Sequence, residues 1–279
     1  MKLYSYELKT TAPKWPVRKG LILQWNDGFG EVAPLPGFSP ETLEEAKEEI
    51  LSLLPNLASA KPRLPSVRFA IESASKPFSL KPLQIPLCLL NEPRPGFSTL
   101  KLKLGHLSID EAIQHVKKFQ AFRLRLDCNR SWVLDQALDF ASHFSPTDFE
   151  YLEEPVSSFS DLIRFSELTG FPIAVDESVS KFPCHEIPTL KAAVIKPTIV
   201  GSLPTYPVPT VLSSAFETSL GLLQIARCYK NGSPPPGLDT FRLFQEDLLS
   251  PPLKAENGFL TWAGSQGCPI DMKKLYREG

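Results

Sequence analysis

Two short segments, Thr99-Leu-Lys-Leu-Lys-Leu104 and Arg123-Leu-Arg-Leu-Asp127, decide the fold of this chain. In both segments leucine alternates with a charged residue, which predicts β-strands with one apolar face and one polar face. Between them, Ser108-Ile-Asp-Glu111 is a capping box that predicts the start of an amphipathic helix. A strand, a helix and a second strand of the same pattern indicate parallel strands that are joined by a crossover helix.

The same alternation of strand and helix continues along the chain. Further strands are predicted at residues 85–90, 149–153, 173–176, 193–196 and 210–213. Further helices are predicted at residues 134–141 and 162–168. We therefore predict an α/β fold, a TIM barrel of the (β/α)7β type, over residues 86–279. We also expect a C-terminal segment that returns to the first domain.

Residues 1–85 have a different pattern. Strands are predicted at residues 2–8 and 20–25. A glycine-containing turn is predicted at residues 26–30 and a loop at residues 31–38. Two helices follow, one capped by Ser39 with Pro40 at its first position and one that begins at Ser66. Strands followed by helices predict a small α+β domain that caps the barrel.

Two connections in the barrel are too short for an outer helix. They are residues 90–99 and residues 196–212, and the second is rich in proline. We therefore expect a barrel that lacks one or two outer helices, with a partner subunit or the C-terminal segment covering the strands there.

The composition is that of a globular protein without nucleic-acid or membrane partners. Of the 279 residues, 42% are hydrophobic and 22% charged, and the formal net charge is -1. The chain has no apolar run long enough for a membrane span, and its N-terminal residues lack the apolar core of a signal peptide. We expect a cytoplasmic protein. Its five cysteines show no Cys-x-x-Cys spacing, which argues against a zinc site or a disulfide framework.

A polar residue ends each of five consecutive predicted strands, about one β/α unit apart: Lys103, Asp127, Glu153, Asp176 and Lys196. The C-terminal ends of barrel strands surround one mouth, where catalytic groups lie. Three carboxylates that converge there without a cation would repel each other, and ligands that are all oxygen favour Mg²⁺ over zinc. Taken singly, each residue is more often a surface group or a helix cap, but the set predicts a metal site.

The two lysines fit a reaction in which a proton is removed next to a carboxylate. Such a proton is a very weak acid, because its removal leaves a dianion that needs a cation such as Mg²⁺ beside it. A lysine near the divalent ion has its pKa lowered toward the working pH and can take the proton. Lys103 and Lys196, on opposite sides of the barrel, can act from the two faces of a substrate.

These residues lie in motifs that resemble the enolase superfamily: Lys101-Leu-Lys103, Leu126-Asp-Cys-Asn129, Leu152-Glu-Glu-Pro155, Val175-Asp-Glu-Ser178 and Val194-Ile-Lys-Pro197. Longer stretches resemble its o-succinylbenzoate synthase family. They are Gly30-Glu-Val-Ala-Pro-Leu-Pro-Gly-Phe-Ser39, Arg123-Leu-Arg-Leu-Asp-Cys-Asn-Arg-Ser-Trp132, Ile195-Lys-Pro-Thr-Ile-Val-Gly-Ser-Leu203, Leu212-Ser-Ser-Ala-Phe-Glu-Thr-Ser-Leu-Gly221 and Pro236-Gly-Leu-Asp-Thr240. The resemblance extends over residues 4–245, nearly the whole chain.

The resemblance implies a carbon–oxygen lyase, a dehydratase that forms o-succinylbenzoate from 2-succinyl-6-hydroxy-2,4-cyclohexadiene-1-carboxylate on the way to menaquinone. It implies that Asp127, Glu153 and Asp176 bind Mg²⁺, with Mn²⁺ as a possible substitute. The catalytic residues are then Lys103 as the base, Lys196 on the opposite face and Lys101 as electrostatic support.

Further roles are implied for residues around these. Substrate binding is expected from Ser213, Ser214, Gly237 and Arg125, and support of the metal ligands from Asn129 and Glu177. Residues 34–39 and the segment near Arg18 are expected to close over the barrel mouth.

Two other functions remain open at this stage. A racemase or epimerase of N-acylamino acids or dipeptides would use the same two lysines, and Asp239 leaves a site for a dipeptide ammonium group open. A non-catalytic binding protein on the same scaffold is disfavoured, because all the metal ligands are present. The expected partner is a small-molecule carboxylate, and the chain is expected to be a monomer or a homo-oligomer.

Overall fold

The computed structural model describes residues 1–176, 178–179 and 181–278. Its strands are β1 (Lys2–Lys9), β2 (Val17–Trp25), β3 (Gly28–Val32), β4 (Leu83–Pro86), β5 (Leu89–Leu90), β6 (Thr99–Lys103), β7 (Arg123–Asp127), β8 (Phe149–Glu153), β9 (Ile173–Val175), β10 (Leu190–Ile195), β11 (Thr210–Leu212), β12 (Lys254–Glu256), β13 (Phe259–Trp262) and β14 (Tyr276–Glu278). Its α-helices are α1 (Leu43–Leu53), α2 (Pro65–Ala74), α3 (Ile109–Lys117), α4 (Leu134–Ser142), α5 (Phe159–Thr169), α6 (Pro197–Val200) and α7 (Ser219–Ala226). Within these ranges we find no helix with the length and apolar character of a membrane span.

Seven parallel strands form the central sheet, in the order β11-β10-β9-β8-β7-β6-β5. Residues 236–237 take the place of an eighth strand. The N–H of Gly237 donates to the carbonyl of Leu212 at the end of β11, and the carbonyl of Pro236 accepts from the N–H of Cys88 beside β5, at 2.8 and 3.0 Å. These bonds join the two edges of the sheet, so the parallel sheet that the sequence predicted curls into a barrel.

The leucine faces of the two deciding segments form the layer under the outer helices. Leu100, Leu102 and Leu104 are fully buried, as are Leu124 and Leu126 of β7. They belong to the same core as the apolar residues of α3 and α4. Since full burial of a leucine side chain contributes about 1.5–3 kcal/mol, this layer fixes the register of both strands and turns their charged faces into the barrel.

The capping box at Ser108 is confirmed, whereas the predicted start of α1 is wrong. The Ser108 hydroxyl accepts from the N–H of Glu111, whose carboxylate accepts from the N–H of Ser108. Helix α1 begins at Leu43, after a second capping box in which Thr42 pairs with Glu45. The hydroxyl of Ser39 accepts instead from the N–H of Leu35, at 2.8 Å, and so closes a turn before the helix.

The predicted loop at residues 31–38 begins as a strand. β3 pairs antiparallel with β2 along its whole length, after a turn at Asn26 with a φ of 52°. A Cβ on Gly30 would lie 2.0 Å from the carbonyl oxygen of Ala70 in α2. Glycine at this position therefore lets helix α2 pack directly on the strand, a contact that local sequence signals do not reveal.

The outer layer of the barrel is incomplete, as expected. No helix lies between β5 and β6, and α6 between β10 and β11 has a single turn. The connection between β9 and β10 also carries only a 3₁₀ turn, Cys184–Glu186, among its described residues. Helix α2 of the cap packs against α6, where the Cα of Pro65 lies 2.9 Å from the Cβ position of Gly201. The cap thus covers part of the barrel that lacks a helix.

The cap consists of the sheet β14-β1-β2-β3 with helices α1 and α2. The last strand, β14, pairs antiparallel with β1, and β13 lies between β12 and β4 in a separate three-stranded sheet. The C-terminal segment therefore contacts both parts of the chain. The division into domains at residue 85 stays a prediction.

Candidate active site

The barrel brings the five predicted strand-end residues to one end. Lys103 lies opposite Asp127 in the register of β6 and β7, and Asp127 lies opposite Glu153 in that of β7 and β8. Asp176 follows β9 directly, and Lys196 follows β10. In the sheet order, the strands that carry the three carboxylates thus lie between the strands that carry the two lysines.

Lysine side chains pair with all three carboxylates. The Nζ of Lys101 lies 2.9 Å from Oδ2 of Asp127 and 2.7 Å from Oε1 of Glu153. Lys103 reaches the same Asp127 oxygen at 3.5 Å, and Lys196 is paired with Asp176. The side chain of Lys103 is 39% exposed, against 12% for Lys101, so Lys103 is the more accessible of the two to a substrate.

The charges of this cluster are unevenly compensated. Burial would raise the pKa of Asp127, but the ammonium groups of Lys101 and Lys103 hold it at about 2. Burial raises the pKa of the Glu153 carboxyl to about 8, and the charges of Asp127 and Asp176 add to that effect against the pull of Lys101. The carboxylates raise the pKa of Lys101 well above its ordinary value despite its burial. Burial therefore disfavours the charged form of Glu153 even though the Nζ of Lys101 lies 2.7 Å from its Oε1.

A cavity of about 390 Å³ opens beside this cluster. Its floor is formed by Lys101, Lys103, Asp127, Asn129 and Lys196, and one wall by Ser213, Ser214 and Gly237. Glu153 and Asp176 are not among the lining residues, but they pair with Lys101 and Lys196, which are. The volume lies in the range of small-molecule sites.

The cap supplies the roof of the cavity. The loop between β1 and β2, residues 11–15, lines it together with Leu35 and Phe38. The ring of Trp15 lies 5.8 Å from that of Phe38 and 6.0 Å from that of Phe216, which belongs to the barrel. The Nζ of Lys14 lies over the Trp15 and Phe38 rings, at 4.8 and 4.9 Å from their centroids. We call residues 11–15 the lid loop.

The predicted substrate-binding residues divide into two groups. Ser213, Ser214 and Gly237 line the cavity, and the Ser214 hydroxyl lies 2.8 Å from that of Thr240. Arg125 does not line it. Its guanidinium donates to the carboxylate of Glu150 and to the carbonyl of Pro235, one layer deeper in the barrel. Arg125 is thus buried in the barrel interior and is not among the residues that line the cavity.

The predicted supporting residues also differ in outcome. Asn129 lines the cavity, and its N–H donates to Oδ1 of Asp127 at 3.1 Å. Glu177 lies outside the described residues. Glu154, which the prediction passed over, accepts through Oε1 from the N–H groups of Asp176 and Ser178, at 3.0 and 2.8 Å. It thereby orients the segment that carries Asp176.

Asp239 lines the cavity but is held by arginines. Its carboxylate pairs with Arg94 and accepts from Nε of Arg242 at 3.0 Å and from the N–H of Leu90 at 3.1 Å. The side chain is fully buried. A carboxylate that is bound by two guanidinium groups is a poor partner for a substrate ammonium group, which weakens the dipeptide alternative.

The donor set suits a hard divalent cation. The three carboxylates offer only oxygen, and Oε2 of Glu153 is buried without a hydrogen-bond partner. Among the residues that the structure describes, no group of acidic, histidine and cysteine side chains is already converged as a metal cluster. Lys101 and Lys196 instead supply positive charge to the carboxylates. A cation that bound here would take over that charge compensation.

Fold and site together define a class of protein, a capped barrel enzyme in which lysines lie on both sides of three buried carboxylates. Residues 92–186 match the family model described as Enolase C-terminal domain-like, and residues 1–77 match MenC, N-terminal domain. The o-succinylbenzoate synthase of Edwardsiella ictaluri is 33% identical over an alignment that covers 88% of this chain and 92% of that protein. The chain belongs to the o-succinylbenzoate synthase family of the enolase superfamily, as the sequence motifs predicted.

Solved structures agree with the fold. The crystal structure of o-succinylbenzoate synthase from Thermosynechococcus elongatus, complexed with Mg in its active site, matches with a TM-score of 0.68 and 24% identity, over 88% of this chain and 93% of that one. A dipeptide epimerase from Enterococcus faecalis matches with a TM-score of 0.73 and 17% identity, over 97% and 100% of the two chains. At these identities the likeness shows the fold alone, and it confirms the capped-barrel prediction. Members of the superfamily typically bind a divalent metal ion.

Proposed function

We propose that this chain is a Mg²⁺-dependent dehydratase that converts 2-succinyl-6-hydroxy-2,4-cyclohexadiene-1-carboxylate to o-succinylbenzoate. The observation that best supports this proposal is the order of the strands, in which Lys103 and Lys196 flank three carboxylates beside one cavity. A substrate carboxylate placed over the acidic cluster would have one lysine on each face of its ring. That arrangement fits the removal of a proton next to a carboxylate.

Asp127, Glu153 and Asp176 would hold the metal ion. A bound Mg²⁺ would supply the positive charge that stabilises the negative charge developing on the substrate carboxylate. Mn²⁺ accepts the same kind of oxygen ligands and is the expected substitute. Glu154 and Asn129 would keep Asp176 and Asp127 in place through the hydrogen bonds described above.

Lys103 would carry out both proton transfers. As a neutral amine it takes the proton from the ring carbon next to the carboxylate. The bond between the neighbouring ring carbon and its hydroxyl then breaks, and the Lys103 ammonium returns the proton to that oxygen, so that water leaves. The electron pair of the broken C–H bond completes the aromatic ring. Lys196, on the other face, would offset the negative charge that builds up between the two steps.

The remaining lining would bind the succinyl tail and exclude water. Ser213, Ser214 and Gly237 offer hydroxyl and backbone groups along one wall, and the ring of Trp15 in the lid loop covers the cavity together with Phe38. Lys14 of the lid loop brings a positively charged side chain to this cavity. A second substrate carboxylate at the end of the tail suits that charge. The cytoplasmic location and the oligomeric state stay predictions.

The test is a turnover assay with the purified protein. Formation of o-succinylbenzoate is followed with Mg²⁺, with a chelator, and after Mg²⁺ or Mn²⁺ is added back. We expect conversion that needs the metal. Lys103→Ala should lower kcat by at least roughly 10³-fold and leave Mg²⁺ affinity unchanged, whereas Lys117→Ala, an exposed lysine on α3, should match the wild type.

A folded wild-type protein that binds Mg²⁺ but makes no o-succinylbenzoate would contradict the proposal. The racemase alternative would then be tested by α-proton exchange of N-acylamino acids in deuterated water. A Lys103→Ala variant that retains turnover would contradict only the role of Lys103.

A further inference from the structure

A buried carboxylate, Glu217, lies behind the cavity and takes no part in the chemistry above. The residue is fully buried, and so is its partner Thr198. Its Oε2 accepts from the N–H of Ala215 at 2.8 Å, and its Oε1 accepts from the hydroxyl of Thr198. One side chain therefore joins the turn after β11 to helix α6.

Helix α6 links the contact between Glu217 and Thr198 to the active site. Lys196 is its N-cap residue, and Thr198 is the second of its four residues. A helix of one turn has almost no stability of its own, so its orientation depends on tertiary contacts. Helix α6 packs on α2, and the hydrogen bond from Thr198 to Glu217 holds it as well. These contacts also hold the backbone of Lys196, which precedes the helix.

The residue next to Glu217, Phe216, is bound by the cap. Arg18 of β2 is buried, and its Nε donates to the carbonyl of Phe216 at 2.9 Å while its guanidinium also donates to the carbonyls of Ala33 and Pro34. Phe216 has a φ of 64°, a left-handed conformation that costs about 1 kcal/mol or more for a residue other than glycine. Arg18 and Glu217 hold it there from both sides.

Phe216 also faces the substrate. Its ring lines the cavity and lies 6.0 Å from the ring of Trp15 in the lid loop. A continuous set of contacts thus leads from the cap through Phe216 and Glu217 to Thr198 and Lys196. The contacts in this set are hydrogen bonds of buried groups and two short stretches of chain, Phe216-Glu217 and Lys196-Pro197-Thr198.

We propose that Glu217 and Thr198 are positioning residues, which hold Lys196 at the cavity and tie its position to the docking of the cap. This inference rests on the proposed function, since it concerns the lysine on the second face of the substrate. Neither side chain touches substrate. Their effect is the placement of the Lys196 ammonium, where a displacement of about 1 Å can change the rate by up to about 10²-fold.

Thr198→Val is the sharpest perturbation, because it keeps the shape of the side chain and removes the hydroxyl donor. We expect a fall in kcat of about tenfold with KM changed less than about twofold, and unchanged Mg²⁺ affinity. Thr198→Ser restores the hydroxyl and should recover kcat. Thr189→Val is the matched control, because the Thr189 hydroxyl donates to the carbonyl of Phe171 at 2.5 Å on a connection outside the cavity lining. It should lose stability without losing kcat.

Two results would overturn the proposal. One is a Thr198→Val variant with kcat within about twofold of the wild type. The other is a Thr198→Ser variant as slow as Thr198→Val, which would mean that the hydroxyl is not what matters. If the wild type itself makes no o-succinylbenzoate, the dehydratase proposal fails, and crystal structures of the wild type and Thr198→Val decide this inference. A Lys196 ammonium displaced from Asp176 supports it, and an unmoved one overturns it.

Discussion

Glu31 offers a quantitative test of how the cap is attached to the barrel. This carboxylate on β3 is almost completely buried. It accepts from the hydroxyl of Tyr6 at 2.5 Å, from the N–H and hydroxyl of Thr218 at 3.0 and 2.7 Å, and from the N–H of Gly221 at 2.8 Å. Glu31 therefore caps the N-terminus of α7 in the barrel from a strand of the cap, where a negative charge is also favoured by the helix dipole.

The expected cost of Glu31→Gln follows from these four bonds. Glutamine keeps the shape but has one oxygen, so two of the four donors lose their acceptor or face an NH₂ group. Hydrogen bonds to a charged group contribute about 1.5–3 kcal/mol each. We therefore expect the free energy of unfolding to fall by roughly 3–6 kcal/mol, which corresponds to a decrease in Tm of roughly 10 °C for a chain of this size.

Urea unfolding followed by circular dichroism measures this change. Glu7→Gln is the matched control, because Glu7 lies in the same sheet and pairs with Lys19 at 2.9 Å, with more than half of each side chain exposed. Its expected effect is below about 1 kcal/mol. A Glu31→Gln variant within about 1 kcal/mol of the wild type would refute the role of Glu31 as the link between cap and barrel.

Three further predictions address the metal, the lid and the pH dependence. Asp176→Ala should weaken Mg²⁺ binding at least roughly tenfold in a calorimetric titration while the far-UV spectrum stays unchanged. Trp15→Ala should raise KM about tenfold with little change in Tm, because it removes the ring that contacts Phe216 across the cavity, and steady-state kinetics would show this. Burial raises the pKa of Glu217 from its ordinary value of 4.5 to about 7, against the opposing hydrogen bond from Thr198. Between pH 4.5 and 7 the folded state binds more protons at Glu217 than the unfolded state does. The ionisation of Glu217 should therefore lower the free energy of unfolding by roughly 3 kcal/mol as pH rises from about 4.5 to 7. Urea titrations at several pH values should show that Glu217→Gln removes this pH dependence.

The parts of the fold that the sequence predicted are those with a strong local pattern. The leucine alternation of β6 and β7 and the capping box at Ser108 are both confirmed in the structure. Helix α7 gave no such signal, because all eight of its residues are buried and its sequence has no polar face. A helix that is apolar all round cannot be distinguished by its period from a buried strand.

The sequence predicted which side chains face the barrel interior, but not how far each lies from the cavity. Strand alternation places Arg125 on the same inward face as Asp127, and Arg125 was predicted to bind substrate while Asp127 was predicted to bind the metal ion. Arg125 lies two residues earlier on the strand and so one layer lower, where Glu150 binds it. The lid loop and the pairing of Asp239 with Arg94 depend on contacts between distant segments, which periodicity does not contain.

A crystal structure with Mg²⁺ and o-succinylbenzoate bound would test the proposed arrangement of metal ligands and lysines around the substrate. We expect a metal ion liganded by Asp127, Glu153 and Asp176, with the ring carboxylate of the product at the ion. We also expect the ammonium groups of Lys103 and Lys196 on opposite faces of the ring. A product bound away from these carboxylates, or with both lysines on the same face, would contradict it.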